Sequence, residues 1–105
     1  MEIVETSVFT KRINEVLPDD EYRQLQWALV LHPNAGTLIP GAKGLRKLRL
    51  SVSRRGKRGG LRVIYYLWMK DEKIYMLFPY LKSEQEDLTR EQLKKLCEYV
   101  KEGVL

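Results

Sequence analysis

The chain has 105 residues, of which 44% are hydrophobic, and its 19 Lys and Arg residues outnumber its 14 Asp and Glu residues, giving a formal net charge of +5. This length and apolar content predict a single small domain over residues 1–105 and exclude a disordered tail. The one cysteine, Cys97, cannot form an internal disulfide, no apolar run reaches membrane-spanning length, and the first ten residues do not form a signal peptide, so we expect a cytoplasmic protein.

The first third of the chain predicts a strand followed by two helices. Residues 3–9 are β-rich and predict the strand, and Thr10 is a candidate N-cap for a short helix that continues through Val16. Asp19 and Asp20 then favour the start of a second helix, which ends near residue 31. Its apolar stripe comprises Tyr22, Leu25, Trp27, Leu29 and Val30.

Three strands and a last helix are predicted to follow. Residues 45–52 alternate, with Lys47, Arg49 and Ser51 on one face and apolar side chains on the other. A basic loop over residues 54–60 precedes strands over residues 61–69 and 73–80. The pattern of Thr89 and Gln92 is a capping box that begins an amphipathic C-terminal helix.

The order β-α-α-β-β-β-α predicts an α+β fold. In this fold the two N-terminal helices pack on a twisted, mostly antiparallel sheet, and the last helix closes the chain.

The charge is strongly segregated along the chain. No Asp or Glu occurs in residues 22–70, which carry eleven of the nineteen basic residues. Ordinary surfaces intersperse both signs of charge. A solvated basic face without a partner is the alternative, but the absence of acids favours a polyanionic partner such as nucleic acid.

Several kinds of chemistry are disfavoured by the residues available. His32 is the one histidine and lies at a predicted helix end, no Cys/His cluster has metal-ligand spacing, and no phosphate-binding glycine loop is present. Cys97 lies among apolar residues of the last helix and is expected to pack there. We therefore expect no metal and no cofactor, so an enzyme of this sequence would use Lys, Arg and Tyr.

If the strands over residues 45–52 and 61–69 pair, Lys47, Arg49 and Arg62 converge on one face of the sheet. Such a cluster can grip a phosphodiester and stabilise charge that builds on phosphorus. Arg62 is the strongest candidate, because a charge in an apolar strand is costly unless it is paired or used. The alternative for Arg62 is a structural salt bridge with Glu84, Glu86 or Asp87.

Other residues are candidates for holding RNA. The basic residues around the cluster are expected to contact the RNA backbone: Lys43, Arg46, Arg54, Arg55, Lys57 and Arg58. Tyrosines of the predicted strands could stack on bases, although aromatic residues in strands more often belong to the core. Tyr80, which ends a strand just before Lys82, is the best placed of them.

These segments resemble a known family. Residues 44–49, the run Lys57-Arg58-Gly59-Gly60-Leu61-Arg62-Val63-Ile64-Tyr65-Tyr66, and residues 80–89 are similar to the RelE/HigB superfamily of type II toxins, with the HigB-like branch the closer match. The resemblance covers nearly the whole chain. It implies a microbial-RNase-like fold, a ribosome-dependent endoribonuclease that cuts mRNA in the A site, and a cognate antitoxin, HigA-like and DNA-binding.

The resemblance also implies residue roles. The ribose 2′-hydroxyl attacks the phosphate without a metal, Lys47 or Arg49 assists its deprotonation, Arg62 stabilises the transition state, and Lys82 lies near a second basic position. Arginine is a poor proton acceptor, so Lys47 is the better candidate base. The chain departs from the RelE branch at Ser83 and Thr89, where that branch has an arginine and a tyrosine, so Tyr80, Lys82 or Lys57 is a candidate substitute.

Three other functions are open. A non-catalytic basic module could bind ribosomal or other RNA and block translation without cutting it. A gyrase inhibitor of ParE type shares the fold, but such relatives generally lack the basic residues. A DNA-binding repressor is disfavoured because the charge lies on strands and a loop rather than on a recognition helix.

Overall fold

The computed structural model describes residues 1–54 and 57–101, and for residues 53, 54 and 57–59 it describes the backbone. The strands are β1 (Glu2–Glu5), β2 (Thr37–Leu38), β3 (Leu45–Arg54), β4 (Lys57–Trp68) and β5 (Lys73–Leu81). The helices are α1 (Ser7–Val16), α2 (Asp19–Leu31) and α3 (Arg90–Lys101), with a 3₁₀ turn at Met69–Asp71. The predicted α+β class is confirmed.

The strands form one sheet in the order β1-β5-β4-β3-β2. β1 is parallel to β5, and the other neighbouring strands are antiparallel, as predicted. The parallel pair is possible because α1 and α2 lie between β1 and the meander of β3, β4 and β5 in the chain. The meander places the three longest strands side by side in the middle of the sheet.

The helices cover both faces of the sheet. Phe9 of α1 and Leu29 of α2 are fully buried in a cluster with Val63 and Tyr65 of β4. On the other face, Ile64 of β4 belongs to a second cluster, against which side chains of α3 pack while only partly buried. Alternation along β4 explains how one apolar strand supplies both clusters. Lys47, Arg49 and Arg62 lie on the face of this second cluster, because each is an even number of residues from Leu45 or Ile64 along its strand.

The boundary between the first strand and the first helix was predicted wrongly. β1 ends at Glu5, and α1 begins at Ser7 rather than after Thr10. Thr6 is the N-cap, because its hydroxyl accepts a hydrogen bond from the backbone N–H of Phe9 at 3.0 Å. The β propensity of residues 8 and 9 is overridden because a helix carries Phe9 into the core.

Other differences concern the second helix and the loops. Trp27 was predicted to widen the apolar stripe of α2, but it is 63% exposed, and the buried residues of α2 are Leu25 and Leu29. The predicted turn-rich segment before residue 45 contains the short strand β2. Most of the predicted basic loop over residues 54–60 belongs to β3 and β4.

The capping box of the last helix is confirmed. The Thr89 hydroxyl accepts from the backbone N–H of Gln92 at 3.0 Å, and the Gln92 side chain accepts from the backbone N–H of Thr89 at 3.0 Å. Across the described ranges 1–54 and 57–101, no helix has the length and hydropathy needed to cross a membrane.

Candidate active site

The register of the three central strands lines up the main candidate residues. Arg49 of β3 is the direct partner of Arg62 of β4, and Arg62 is the direct partner of Tyr80 of β5. Direct partners project from the same face of a sheet, so these three side chains form one row. Lys47 lies two residues from Arg49, and therefore on the same face in the next row. The predicted convergence of Lys47, Arg49 and Arg62 is thus confirmed.

Gly60 makes room for the guanidinium of Arg62. A Cβ atom on Gly60 would lie 3.0 Å from Nη1 of Arg62 and 3.4 Å from Cβ of Lys82. The carbonyl of Gly60 also accepts a hydrogen bond from the backbone N–H of Lys82 at 2.8 Å. The absence of a side chain on Gly60 therefore leaves room for the guanidinium of Arg62, and the hydrogen bond holds exposed Lys82 next to Gly60.

The charges of this face are arranged at a cost to stability. Like charges directly opposite each other on paired strands are destabilising. Among the described residues no carboxylate forms an ion pair with Arg62. Glu84 pairs with Arg12, and Asp87 pairs with Lys47. The structural salt bridge considered for Arg62 is therefore not seen among the described residues. A set of cations held in this way is suited to binding an anion.

Asp87 is a site residue that the sequence indicated only as a possible partner of Arg62. Its Oδ1 atom lies 3.2 Å from Nζ of Lys47, accepts from the backbone N–H of Leu88 at 2.8 Å, and lies 3.4 Å from the hydroxyl of Tyr80. The hydrogen bond from Leu88 and the neighbouring ammonium of Lys47 hold the pKa of Asp87 below its ordinary value. Asp87 is therefore ionised at neutral pH, and its carboxylate contacts both Lys47 and Tyr80.

Tyr80 is buried, with 2% of its surface exposed, and its hydroxyl donates toward Asp87. Burial, followed by the nearby Asp87 carboxylate, raises the pKa of Tyr80, while the charge of Arg62 opposes the increase. The hydroxyl consequently keeps its proton at neutral pH. Tyr80 is thus a proton donor rather than a base, and its burial excludes it as a platform for stacking bases.

Of the other basic candidates, Arg46 lies on the opposite face from Lys47. Its guanidinium donates to the carbonyl of Gly36 at 2.8 Å and to that of Asn34 at 3.4 Å, so it holds the loop before β2. Lys43 is exposed in the turn before β3, where its φ is +57°. Arg46 is therefore not part of the cluster, and Lys43 is a surface residue on a turn.

Three further basic candidates, Arg54, Lys57 and Arg58, lie where β3 and β4 pair toward the end of β3. The backbones of Arg54 and Lys57 are direct partners there, and that of Arg58 pairs with Ser53. Arg55, which was also a candidate, lies outside the described residues. The β3–β4 hairpin continues both strands beyond the paired Arg49 and Arg62. Contact of its basic residues with RNA stays a prediction.

The other residues considered for chemistry are located away from the cluster. His32 is exposed at the C-cap of α2, and Cys97 is partly buried in the cluster of α3. Tyr65 and Tyr75 are core residues, as the interpretation of strand aromatics favoured. No group of His, Cys, Asp and Glu side chains suited to a metal ion occurs in residues 1–54 and 57–101.

Comparisons with known proteins identify the fold. No model of a known protein family matches the chain. A structure of a variant of the Escherichia coli toxin RelE in the free state is similar over 90% of this chain and 94% of that one, with a TM-score of 0.61 and 16% identity. The E. coli RelBE toxin–antitoxin complex is similar over 74% of this chain and 92% of that one, with a TM-score of 0.52 and 14% identity. The chain has the RelE fold, as the resemblance in sequence implied.

Proposed function

We propose that this chain is the toxin of a type II toxin–antitoxin pair, and that it cuts mRNA in the ribosomal A site, in the cytoplasm. The observation that carries the proposal is the row of Arg49, Arg62 and Tyr80 with Lys47 beside it. The RelE fold supports it, since a toxin and a toxin–antitoxin complex have this fold. The fold by itself permits other functions, so the row of residues carries the argument.

In the proposed reaction, the 2′-hydroxyl of a ribose attacks the adjacent phosphorus. A bond forms from the 2′-oxygen to phosphorus, the bond from phosphorus to the 5′-oxygen breaks, and a 2′,3′-cyclic phosphate and a 5′-hydroxyl result. Arg49 and Arg62 bind the non-bridging oxygens and stabilise the charge that builds on them. The loss of one such contact raises the barrier by about 3 kcal/mol, a roughly hundredfold loss in rate.

Tyr80 is suited to the role of general acid. A tyrosine hydroxyl is protonated at neutral pH even at its ordinary pKa, so Tyr80 has a proton to transfer to the departing 5′-oxygen. A tyrosine in this position replaces the one that the RelE branch carries where this chain has Thr89. The proton of the 2′-hydroxyl passes to the pair of Lys47 and Asp87, in which the carboxylate has the lone pairs and the ammonium orients it.

An antitoxin is the second proposed partner. On this basic face Asp87 pairs with Lys47, but no described carboxylate pairs with Arg62. An exposed cationic surface has to be covered in a cell that contains RNA, and an acidic segment of a HigA-like antitoxin would cover it by charge complementarity. Lys82, with the basic residues of the β3–β4 hairpin, would hold the RNA backbone when the antitoxin is absent.

The test compares the wild type with Arg62→Ala and with Arg23→Ala, which removes an exposed arginine of α2 away from the cluster. Each variant is induced in cells and added to a translating extract, and growth and new mRNA 5′ ends are measured. We expect Arg62→Ala to lose growth arrest and cleavage while Arg23→Ala keeps both. Equal potency of Arg62→Ala and wild type would reject the assignment, and arrest without new ends would favour a non-catalytic RNA-binding module.

A further inference from the structure

Asp87 lies on an exposed turn between β5 and α3, and its own side-chain contacts hold it weakly. Its side chain is 68% exposed, and ion pairs at an exposed surface, such as the one with Lys47, fix a side chain only loosely. The contact with the hydroxyl of Tyr80 is long, at 3.4 Å, and the hydrogen bond from the backbone N–H of Leu88 lies within the turn and moves with it. The place of the carboxylate therefore depends on what holds the backbone of this turn.

The side chain of Gln85 holds that backbone. Its Nε2 atom donates to the carbonyl oxygen of Asp87 at 2.9 Å and to Oε1 of Gln92 at 2.7 Å. A carbonyl oxygen can only accept, so it is the NH₂ group of Gln85 that faces Asp87, and the two protons of that group serve both acceptors. The backbone N–H of Gln85 donates to the carbonyl of Leu81 at 3.2 Å, so Gln85 is itself tied to the end of β5.

Gln92 connects the same turn to the start of α3. Its Oε1 atom accepts from the side chain of Gln85 and also from the backbone N–H of Thr89, which is one half of the capping box. One oxygen atom therefore caps the helix and anchors Gln85. Gln85 is half-buried whereas Asp87 is exposed, so the amide is better shielded from water than the carboxylate that it supports.

We propose that Gln85 is a positioning residue for the cleavage reaction, and that its amide holds the turn so that the carboxylate of Asp87 stays beside Lys47 and Tyr80. The inference rests on the proposed function, in which Asp87 and Lys47 take the 2′ proton. A proton acceptor has to lie within about 2.6–3.2 Å of the proton's donor atom. A displacement of about 1 Å can cost roughly hundredfold in rate. Gln85 acts through Asp87 and is assigned no contact with RNA.

The experiment compares Gln85→Met, Asp87→Asn and the double variant with the wild type. Methionine is close to glutamine in length but has no N–H to donate, and Gln85→Met should fold because this position is only half-buried. Gln85→Asn, whose amide is one methylene too short to reach both acceptors, repeats the test if Gln85→Met does not fold. Gln24→Met, at an exposed glutamine of α2, is the matched control. Cleavage of a message in a translating extract and binding of a labelled single-stranded RNA are measured for each protein.

We expect cleavage by Gln85→Met to fall by about tenfold to a hundredfold. Its binding of RNA should tighten by up to about fivefold, because the carboxylate no longer stays beside Lys47. Slower cleavage with tighter binding separates positioning from damage to the fold, which would weaken both. The double variant should cut as slowly as Asp87→Asn alone, because a residue that acts through Asp87 has no effect once the carboxylate is gone. Gln24→Met should keep the rate and affinity of the wild type.

Two results overturn the inference and leave the nuclease standing. One is cleavage by Gln85→Met at the rate of the wild type. The other is a double variant that is slower than Asp87→Asn by the whole factor that Gln85→Met causes alone, since the two residues would then act independently. Weaker RNA binding together with slower cleavage in Gln85→Met would indicate a structural role and also overturns the inference. A wild type that makes no cuts overturns both the inference and the proposed function.

Discussion

Arg49 and Arg62 are direct partners on adjacent antiparallel strands, so two guanidinium groups project from neighbouring positions of one sheet face. Cross-strand pairs of like charge are unfavourable, and the described residues provide no carboxylate that pairs with Arg62. Sites that bind charged substrates are commonly kept at the expense of stability. This pair is therefore better explained by an anionic ligand than by the requirements of folding.

The first prediction separates stability from activity at this pair. Arg49→Gln keeps a polar side chain and removes one charge, so the free energy of unfolding should rise by about 0.2–1 kcal/mol. The rate of mRNA cleavage should fall roughly hundredfold. Urea unfolding and cleavage in a translating extract measure the two effects. A variant that loses stability and activity together would indicate a structural role for Arg49.

The second prediction concerns the number of phosphates that the cluster contacts. Each lost contact to single-stranded RNA lowers the slope of log affinity against log salt concentration by about 0.7. Arg49→Gln and Arg62→Gln should each reduce the slope by this amount, while Arg23→Gln should leave it unchanged. Binding of a labelled single-stranded RNA across a range of salt concentrations provides the slopes. Equal slopes in all four proteins would show that the cluster does not bind the RNA backbone.

The third prediction concerns Asp87. Its carboxylate lies close to Lys47, near the place that the phosphate would take, so Asp87→Asn should tighten binding of RNA. Because the pKa of Asp87 is lowered, the wild type keeps this carboxylate charged between about pH 5 and pH 8, and the ratio of the two affinities should be constant over that range. Cleavage should nevertheless slow down, since the proposed proton acceptor is lost.

A ratio of affinities that changes near neutral pH would place the titration of Asp87 well above its ordinary value. Faster cleavage by Asp87→Asn would show that the carboxylate only obstructs the site. The second result would require another group to accept the 2′ proton.

The fourth prediction tests a buried tyrosine that positions β2. The hydroxyl of Tyr65 donates to the carbonyl of Pro33 at 2.7 Å and accepts from the backbone N–H of Gly36 at 2.8 Å. Tyr65→Phe leaves both backbone groups without this partner, so the free energy of unfolding should fall by about 1–3 kcal/mol. Thermal and urea unfolding check this value. Tyr66→Phe, a partly buried neighbour, is the control and should have a smaller effect.

Tyr65 also predicts that the free energy of unfolding depends on pH. Burial raises the pKa of Tyr65, so the folded state keeps the proton at a pH where the unfolded state has lost it. The stabilisation is present below the unfolded pKa of about 10 and is lost as pH rises, by up to about 1.4 kcal/mol per pH unit. Tyr65→Phe should therefore show a shallower decline above pH 10, and an equal decline would contradict this origin.

The sequence was sufficient to predict the central strands of the sheet, but it was insufficient to predict the elements that surround them. The alternation of residues 47–50 predicted Lys47 and Arg49 on one face of the strand, and the structure places them on one face. The boundary at Thr6 was missed because residues 8 and 9 favour strands locally, whereas burial of Phe9 decides for a helix. Tertiary packing overrides local secondary-structure propensity where a large side chain has to be buried in the core.

Asp87 shows a different limit. It lies 40 residues from Lys47 in the chain, and no local spacing joins the two. The sequence named it only as one of three candidate partners for Arg62. Its contact with Lys47 depends on the segment between β5 and α3 folding back over the sheet, and only the packed structure gives that path. The role of Gly60 in making space for Arg62 was missed for the same reason.

The central claim is that the cluster cuts mRNA when the ribosome presents it. The most direct measurement adds the purified protein to one end-labelled message, either free or held on translating ribosomes, and determines the cut positions and the end groups. We predict cleavage on the ribosome with 2′,3′-cyclic phosphate and 5′-hydroxyl ends, and little cleavage of the free message, because the ribosome has to orient the 2′-hydroxyl for attack. An intact message on ribosomes that have stopped translating would contradict the account.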